Sequence, residues 1–468
     1  MKRLAIVTTL SFVLGAVACA AGKPEDGYAL YVQACEHSKS LGVERYSPVW
    51  EELREFCENG GAPSSSVLKF VQREEKAFSL IAAAHGAQSW KLPDMSEQSA
   101  QTGDAHLPSW RIINRTALVS AVMLYTNGKP EDCLTFLSRF HDVGLRVSKT
   151  GTVIHMLVHA ACRFRQYSVL VSAIDKLPET LLGEQFRRAM EQYARIPTVN
   201  EWMIGERYMA INAVKDFFVE LREQEDVMAS RKRMIQVLKD HGADRKALQR
   251  IERGESLSVS QWETQVLSDL EKLQSFYTKA LTMRPSNELT QMDDEIAKRI
   301  EDTGDKKKYD ISIASWYLFI AKHSSDPFSI ADAERLHSQV GKMISRQLLG
   351  LLTPAAGAIG IRYREFVALE RLLLIRLAAR LYRTKHREGP STLQQLVDDN
   401  LLEAEMIIDP LSGKTFLAKE GKALEPYSVG RDLEDDKGLP LNARTGDAIL
   451  VPLEEKWNVQ DPRASVRD

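Results

Sequence analysis

Long apolar runs are scarce in this 468-residue chain. Past the N-terminal leader none reads as a bilayer span, which takes about 20 consecutive apolar residues, so the body is expected to be soluble. An excess of basic charge is missing too. Lys and Arg total 62 against 64 Asp and Glu, a formal net charge of −2, so no global basic field points to nucleic acid. No Gly-x-Ser-x-Gly elbow is present to activate a serine, and no Walker-type glycine loop to cradle phosphates. Strand-like alternation is absent before about Leu401, which leaves helices as the material of the body. Cysteine is rare, with five in the whole chain, and one of these sits in the leader.

What is present begins with that leader. Lys2 and Arg3 precede an apolar stretch over residues 4–17, followed by the small residues Ala16-Val17-Ala18-Cys19-Ala20-Ala21. This is the shape of an export signal over residues 1–21. Two processing routes fit it. A signal peptidase cuts after Ala16-Val17-Ala18, or Cys19 becomes a lipidated first residue that anchors the chain without a spanning helix. Ala16 stands where such a lipoprotein signal usually has leucine. The expected location is therefore the periplasm or cell surface, with the membrane reached through Cys19 if it is modified. Four cysteines remain, Cys35, Cys57, Cys133 and Cys162. An even number in an exported chain permits disulfides, and Cys35–Cys57 and Cys133–Cys162 each join neighbouring candidate helices. Four small buried thiols are the alternative.

Hydrophobic residues at 44% and charged residues at 27% allow a sizeable core. Residues 22–353 are expected to form an irregular α-helical body. Trp50, Leu53 and Phe56 repeat at helical spacing, and Ser64-Ser65-Ser66 can cap a single helix carrying Val67, Phe70, Val71, Phe78 and Ile81. Leu118, Val122 and Tyr125 lead into Asn127-Gly128-Lys129-Pro130, and Cys133, Leu134, Leu137 and Phe140 follow. The resulting hairpin is similar to a tetratricopeptide repeat, but no clean period recurs, which excludes a regular solenoid. Ser258-x-x-Gln261 has the form of a capping box, and residues 311–322 and 330–352 read as further helices.

Residues 354–468 are expected to hold a long apolar helix and a small β-rich unit. Phe366, Leu369, Leu373, Leu377 and Leu381 lie along one face of that helix, and earlier helices are expected to surround it. Lys385, His386 and Arg387 followed by Gly389-Pro390 mark its end. Short strands are expected at residues 415–418, 427–429 and 448–453.

The order of these features resembles the major pseudopilins of type II secretion. The residues that carry the likeness are Tyr382, Gly389-Pro390, Leu393 and Leu396, then Asp409-Pro410 and Gly413. Tyr427-Ser428-Val429-Gly430, an acidic loop with Asp432, Asp435, Asp436 and Gly438, and finally Asp447-Ala448-Ile449 and Trp457 complete it. The likeness covers roughly ninety residues, and a similar ending occurs in exported bacterial proteins with helical bodies. It implies a pseudopilin-like α/β unit in which Asp432, Asp435 and Asp436 bind calcium. A solvated acidic turn is the other reading of those residues, and Leu433 and Glu434 stand where the family loop is glycine-rich. Pseudopilins begin with their apolar helix, whereas here the helix lies deep inside the chain. The resemblance therefore implies a borrowed fold unit and no place in a secretion filament.

Two further constellations stand out. His155, His159 and Cys162 fall on one helical face with side chains that can bind zinc, although the glutamate of the common zinc-protease helix is missing. A buried hairpin face is the plainer reading. Glu206 and Arg207 sit among apolar residues and are expected to form a structural ion pair or to meet an acidic ligand. The basic runs 231–233 and 306–308 read as solvated helix ends or loops. Taken together, the expectation is a mainly α, non-enzymatic envelope protein that binds or scaffolds an envelope partner, with calcium as its one candidate cofactor. The alternative is a metal-dependent hydrolase with its site in the helical body.

Overall fold

The computed structural model describes residues 26–43, 47–94, 96, 105–149, 151–223, 229, 232, 235–236, 238–240, 242–255, 258–282, 330–352, 356–419, 424–438 and 448–453. The export signal with Cys19, the helix expected over 311–322, most of the basic runs, and Trp457 lie outside them. The chain is mainly α-helical and divides into two compact units. The first comprises residues 1–94, 103–202 and 361–468, and the second comprises 95–102 and 203–360.

In the first unit the N-terminal helices are α1 (Gly27–Ser40), α2 (Pro48–Asn59), α3 (Ser65–Arg73) and α4 (Glu75–Gly86). Each of the first three starts where a short polar side chain satisfies a loose backbone N–H. The carboxylate of Asp26 accepts from the Tyr28 N–H, Ser47 from that of Trp50 and Ser64 from that of Val67. The single helix expected after Ser64 is broken at Glu74. There the buried Glu74 side chain accepts a 2.6 Å hydrogen bond from Ser38 of α1, and its N–H is shared between the Phe70 and Val71 carbonyls. A polar partner 36 residues upstream thus redirects the chain where the apolar pattern continues.

Three long helices follow: α5 (Leu107–Thr126), α6 (Pro130–Lys149) and α7 (Val153–Asp175). The α5–α6 turn is Asn127-Gly128-Lys129, with Gly128 at φ 75°, a left-handed conformation that glycine adopts without a Cβ penalty. Phe78, Phe136, Phe140 and Trp110 pack edge-on and stacked within the core. Beside them the fully buried Asp142 carboxylate gathers His85, Arg146 and Arg195. Burial works against its charge, but these partners prevail and hold the acid down at about 2. Helix α8 (Glu179–Tyr193) completes this part, and α9 (Val199–Glu223) begins in this unit and ends in the second.

Helix α13 (Ala356–His386) returns to the first unit from Ile361 onward. It has the expected position, but the expected long apolar helix is not found. Arg364, Glu370 and Arg371 are buried alongside Phe366, Leu372, Leu373 and Ile375. No helix among the described residues is long and apolar enough to cross a membrane. It stops at Arg387, which takes φ 64° and donates its N–H to the Arg383 carbonyl, so the left-handed terminator is an arginine two residues before Gly389. Then come α14 (Gln394–Asp398), a 3₁₀ turn (Ala404–Ile407), and an antiparallel pair, β1 (Leu417–Ala418) and β2 (Pro426–Tyr427), with Leu417 opposite Tyr427. The expected strand over 448–453 is reduced to one bridge, Ser428 to Ala448. Buried Asp409 organises this tail by accepting from the Leu411 N–H and from the Ser412 and Ser428 hydroxyls.

The second unit contains α10 (Arg245–Glu252), α11 (Val259–Thr282) and α12 (Ile330–Leu352). Gln261 accepts from the Ser258 N–H at 3.4 Å, the reciprocal half of the expected capping box. Helices α11 and α12 pack where Trp262 stacks on His337 at 4.4 Å and donates to its carbonyl. The close approach needs Gly341, since a Cβ there would meet the Trp262 ring at 2.7 Å.

Glu74 makes the first unit sensitive to pH. Removal from water pushes its acid up to about 7, although the Ser38 hydroxyl and Arg73 oppose the rise. A raised acid favours the folded state while it is protonated, so stability is lost as pH rises from about 4.5 through 7. Glu74→Gln keeps an acceptor for Ser38 and removes the charge. The variant is expected to match the wild type near pH 5 and to exceed it by up to about 3 kcal/mol at pH 8 in chemical denaturation. Equal pH dependence in both proteins would refute this.

Candidate functional site

A buried polar cluster lies where α6, α7 and α13 meet. Arg163 of α7 donates to Glu370 of α13 through Nε at 2.6 Å and Nη2 at 3.3 Å, and the Tyr167 hydroxyl donates to the same carboxylate at 2.9 Å. Spacing explains the partners, since Arg163 and Tyr167 are four residues apart on one helical face. Burial disfavours the Arg163 charge, but the Glu370 carboxylate outweighs it and the guanidinium is held above its usual range. His141 of α6 has Nε2 3.8 Å from Glu370 and stacks on His159 of α7 at 5.1 Å, with both rings against Phe366. Burial pushes both imidazoles well below their usual range, aided at His141 by Arg163 and at His159 by His141 and then Arg163. Gly144 lets this happen, because a Cβ there would lie 2.1 Å from the His159 ring.

An arginine, a carboxylate, a tyrosine and two imidazoles resemble catalytic machinery in composition. Their surroundings differ from those of an active site. The cavity bordering Arg163 and Glu370 holds about 50 Å³, against roughly 300–1,000 Å³ for a ligand pocket. The carboxylate is already saturated by its own chain. Its hydrogen bonds clamp α7 to α13, while His141 packs against them from α6 with both ring nitrogens buried and without a hydrogen bond.

Further arginines of α13 extend the clamp. Arg371 donates to the Tyr193 hydroxyl at 2.6 Å and to the Glu405 and Ile408 carbonyls, tying the helix to α8 and to the tail. Arg376 forks onto Asp175, and Arg380 donates to the Ile174 and Leu177 carbonyls at the C-terminal end of α7, where cations are favoured.

The residues singled out in the sequence do not converge. His155 turns back to cap α7, its Nδ1 3.2 Å from the Thr152 N–H. His159 faces His141, and Cys162 lies beside Arg115 and Arg165, so the three side chains of the zinc alternative are not brought together. In the acidic turn Asp435 accepts from the Tyr427 hydroxyl and the Lys437 N–H, and Asp432 from the Glu434 N–H, while one oxygen of Asp436 is buried without a hydrogen bond. Among the described residues no three His, Cys, Asp or Glu side chains are placed to hold a metal ion. Cys35, Cys57, Cys133 and Cys162 are all buried free thiols, so neither of the two disulfides that the sequence permits is present. Cys57 lies near Cys162, and Cys133 is fully enclosed, with burial pushing the Cys35 and Cys57 thiols up to about 12. Arg207 pairs with Glu271 of α11 and not with its neighbour Glu206, because adjacent residues point to different sides of a helix.

Sequence reasoning missed Arg163, Tyr167, Glu370 and His141. One signal was available: Glu370 and Arg371 interrupt the longest aliphatic face in the chain, and charges at such positions require partners.

Glu370→Ala would leave Arg163 buried and unpaired. Chemical denaturation is expected to show a loss of about 3–5 kcal/mol, whereas Glu370→Leu combined with Arg163→Met restores most of it. A loss under about 1 kcal/mol for the single variant would contradict the clamp. Comparison with family models, curated proteins and solved structures gives no match for this chain.

Proposed function

We propose that the chain is an exported bacterial envelope protein that works by binding or scaffolding, held at the membrane through a lipid on Cys19. The observation that carries the non-enzymatic part is the Arg163–Glu370 clamp, in which the guanidinium, the carboxylate and the Tyr167 hydroxyl are spent on joining helices. The leader residues Lys2, Arg3 and Ala16 to Cys19 support export. A finer architectural reading belongs with it, namely a helical body gathered around α13 and closed by a pseudopilin-like unit. The order of α13, Gly389-Pro390, α14, the Asp409 turn and the β1–β2 pair supports that reading. Helical hairpin arrays present extended surfaces to partner proteins, and this step is an analogy of architecture.

The test is fractionation and intact-mass analysis of the full chain made in a bacterial host. The expected product starts at Cys19, carries added lipid mass and sediments with membranes. Cys19→Ala is expected to release it from the membrane fraction. A protein that keeps Met1 and stays in the cytoplasm would overturn the proposal.

A further inference from the structure

A second polar region lies on the outer side of the α5–α7 pair, and its electrostatics are the reverse of the clamp's. Arg111 and Arg115 project from α5, and Arg165 from α7, around a cleft of about 430 Å³. Leu157, Val158 and Cys162 form its floor and Ile154, 40% exposed, its rim. No carboxylate lines it among the described residues. Glu58, whose charge favours that of Arg115, is engaged by Arg54 at 2.8 Å.

This arrangement is unfavourable for the protein alone. Arg111 and Arg115 are like charges four residues apart on one helix, which destabilises it. Burial and then the nearby Arg165 work against the Arg115 charge. The Arg115 Nη1 group is buried with no hydrogen-bond partner, a cost of roughly the size of a lost charged hydrogen bond. Two of the guanidiniums are nevertheless held in place. Arg115 lies 4.0 Å over the Trp50 ring, and Arg165 donates to the Ala161 carbonyl at 2.9 Å. Fixed, uncompensated guanidiniums are suited to a planar or tetrahedral oxyanion, and the apolar floor is suited to what that anion carries. The volume lies within the range of about 300–1,000 Å³ usual for small-ligand sites.

We propose that the cleft between α5 and α7 binds a small amphiphilic oxyanion, a carboxylate or phosphate ester joined to a short apolar chain. The oxyanion sits among Arg111, Arg115 and Arg165, and the chain lies over Leu157 and Val158. This goes beyond the envelope reading and does not depend on it. An unlipidated or cytoplasmic protein would leave the cleft unchanged, and an empty cleft would leave the processing of Cys19 unchanged.

The test is calorimetric titration of the full-length protein with octyl phosphate, octanoate, inorganic phosphate and octyl glucoside, each below its micelle concentration. The first two are expected to bind one per chain, and their ratio distinguishes a phosphate-ester from a carboxylate ligand. Inorganic phosphate and octyl glucoside each lack half of the recognition and are expected to bind at least about tenfold more weakly. Arg111→Gln and Arg165→Gln sit at the accessible edge and should leave the melting temperature nearly unchanged. Each is expected to weaken the better amphiphile about ten- to a hundredfold. Ala161→Trp, which fills the cleft without changing charge, is expected to abolish binding. The proposal is overturned if neither anion binds, if octyl glucoside binds as tightly, or if both glutamine variants keep wild-type affinity.

Discussion

Arg163 and Glu370 lie 207 residues apart in sequence and 2.6 Å apart in space. Removing both charges from water costs several kcal/mol per ion, and the attraction between them offsets that only with good geometry and saturated partners. Both conditions are met here, by the forked guanidinium contact and by Tyr167. Such a pair adds little net stability over a greasy substitute. What it adds is direction, because leucines along α13 can slide against α7 at small cost whereas a fork cannot. The Arg371, Arg376 and Arg380 contacts repeat the device, two of them toward backbone carbonyls. Helix α13 is therefore docked by register-specific polar contacts set within an aliphatic face.

The two sides of α7 show how similar residues acquire opposite roles. Arg163 faces inward and is fully paired, while Arg165, two positions on, faces the outer cleft with no carboxylate. A thin polar chain joins the sides. Asn114, at the cleft, accepts from Gln166 at 3.4 Å, and Gln166 accepts from Arg163 at 3.4 Å. The buried clamp thus fixes the helix whose outer face carries the basic residue, which keeps the cleft's guanidiniums at set positions.

Much of the helical layout was legible because it is written locally. The start at Ser64 and the turn at Asn127-Gly128 depend on residues within one helical turn. What was not legible depends on distant partners. The break at Glu74 exists because Ser38 lies opposite it, and the polarity of α13 makes sense only once Arg163 is beside it. His155 misled through a local effect, since a Thr152 cap three residues earlier withdraws it from the face it shares with His159. Arg111 and Arg115 form a like-charged pair at helical spacing that the sequence reading passed over, because the cleft that gives them meaning needs α7 to be folded against α5.

The first unit is assembled from three stretches of chain, with the second unit's residues emerging in between. On a ribosome, Arg163 is made long before Glu370. A nascent chain that collapsed early would have to shut a bare guanidinium into its interior, which is too costly to persist. The core around α7 therefore cannot close until the last quarter of the polypeptide arrives, and a truncated product is left open and vulnerable to proteolysis. The clamp makes closure of the core around α7 conditional on the arrival of α13.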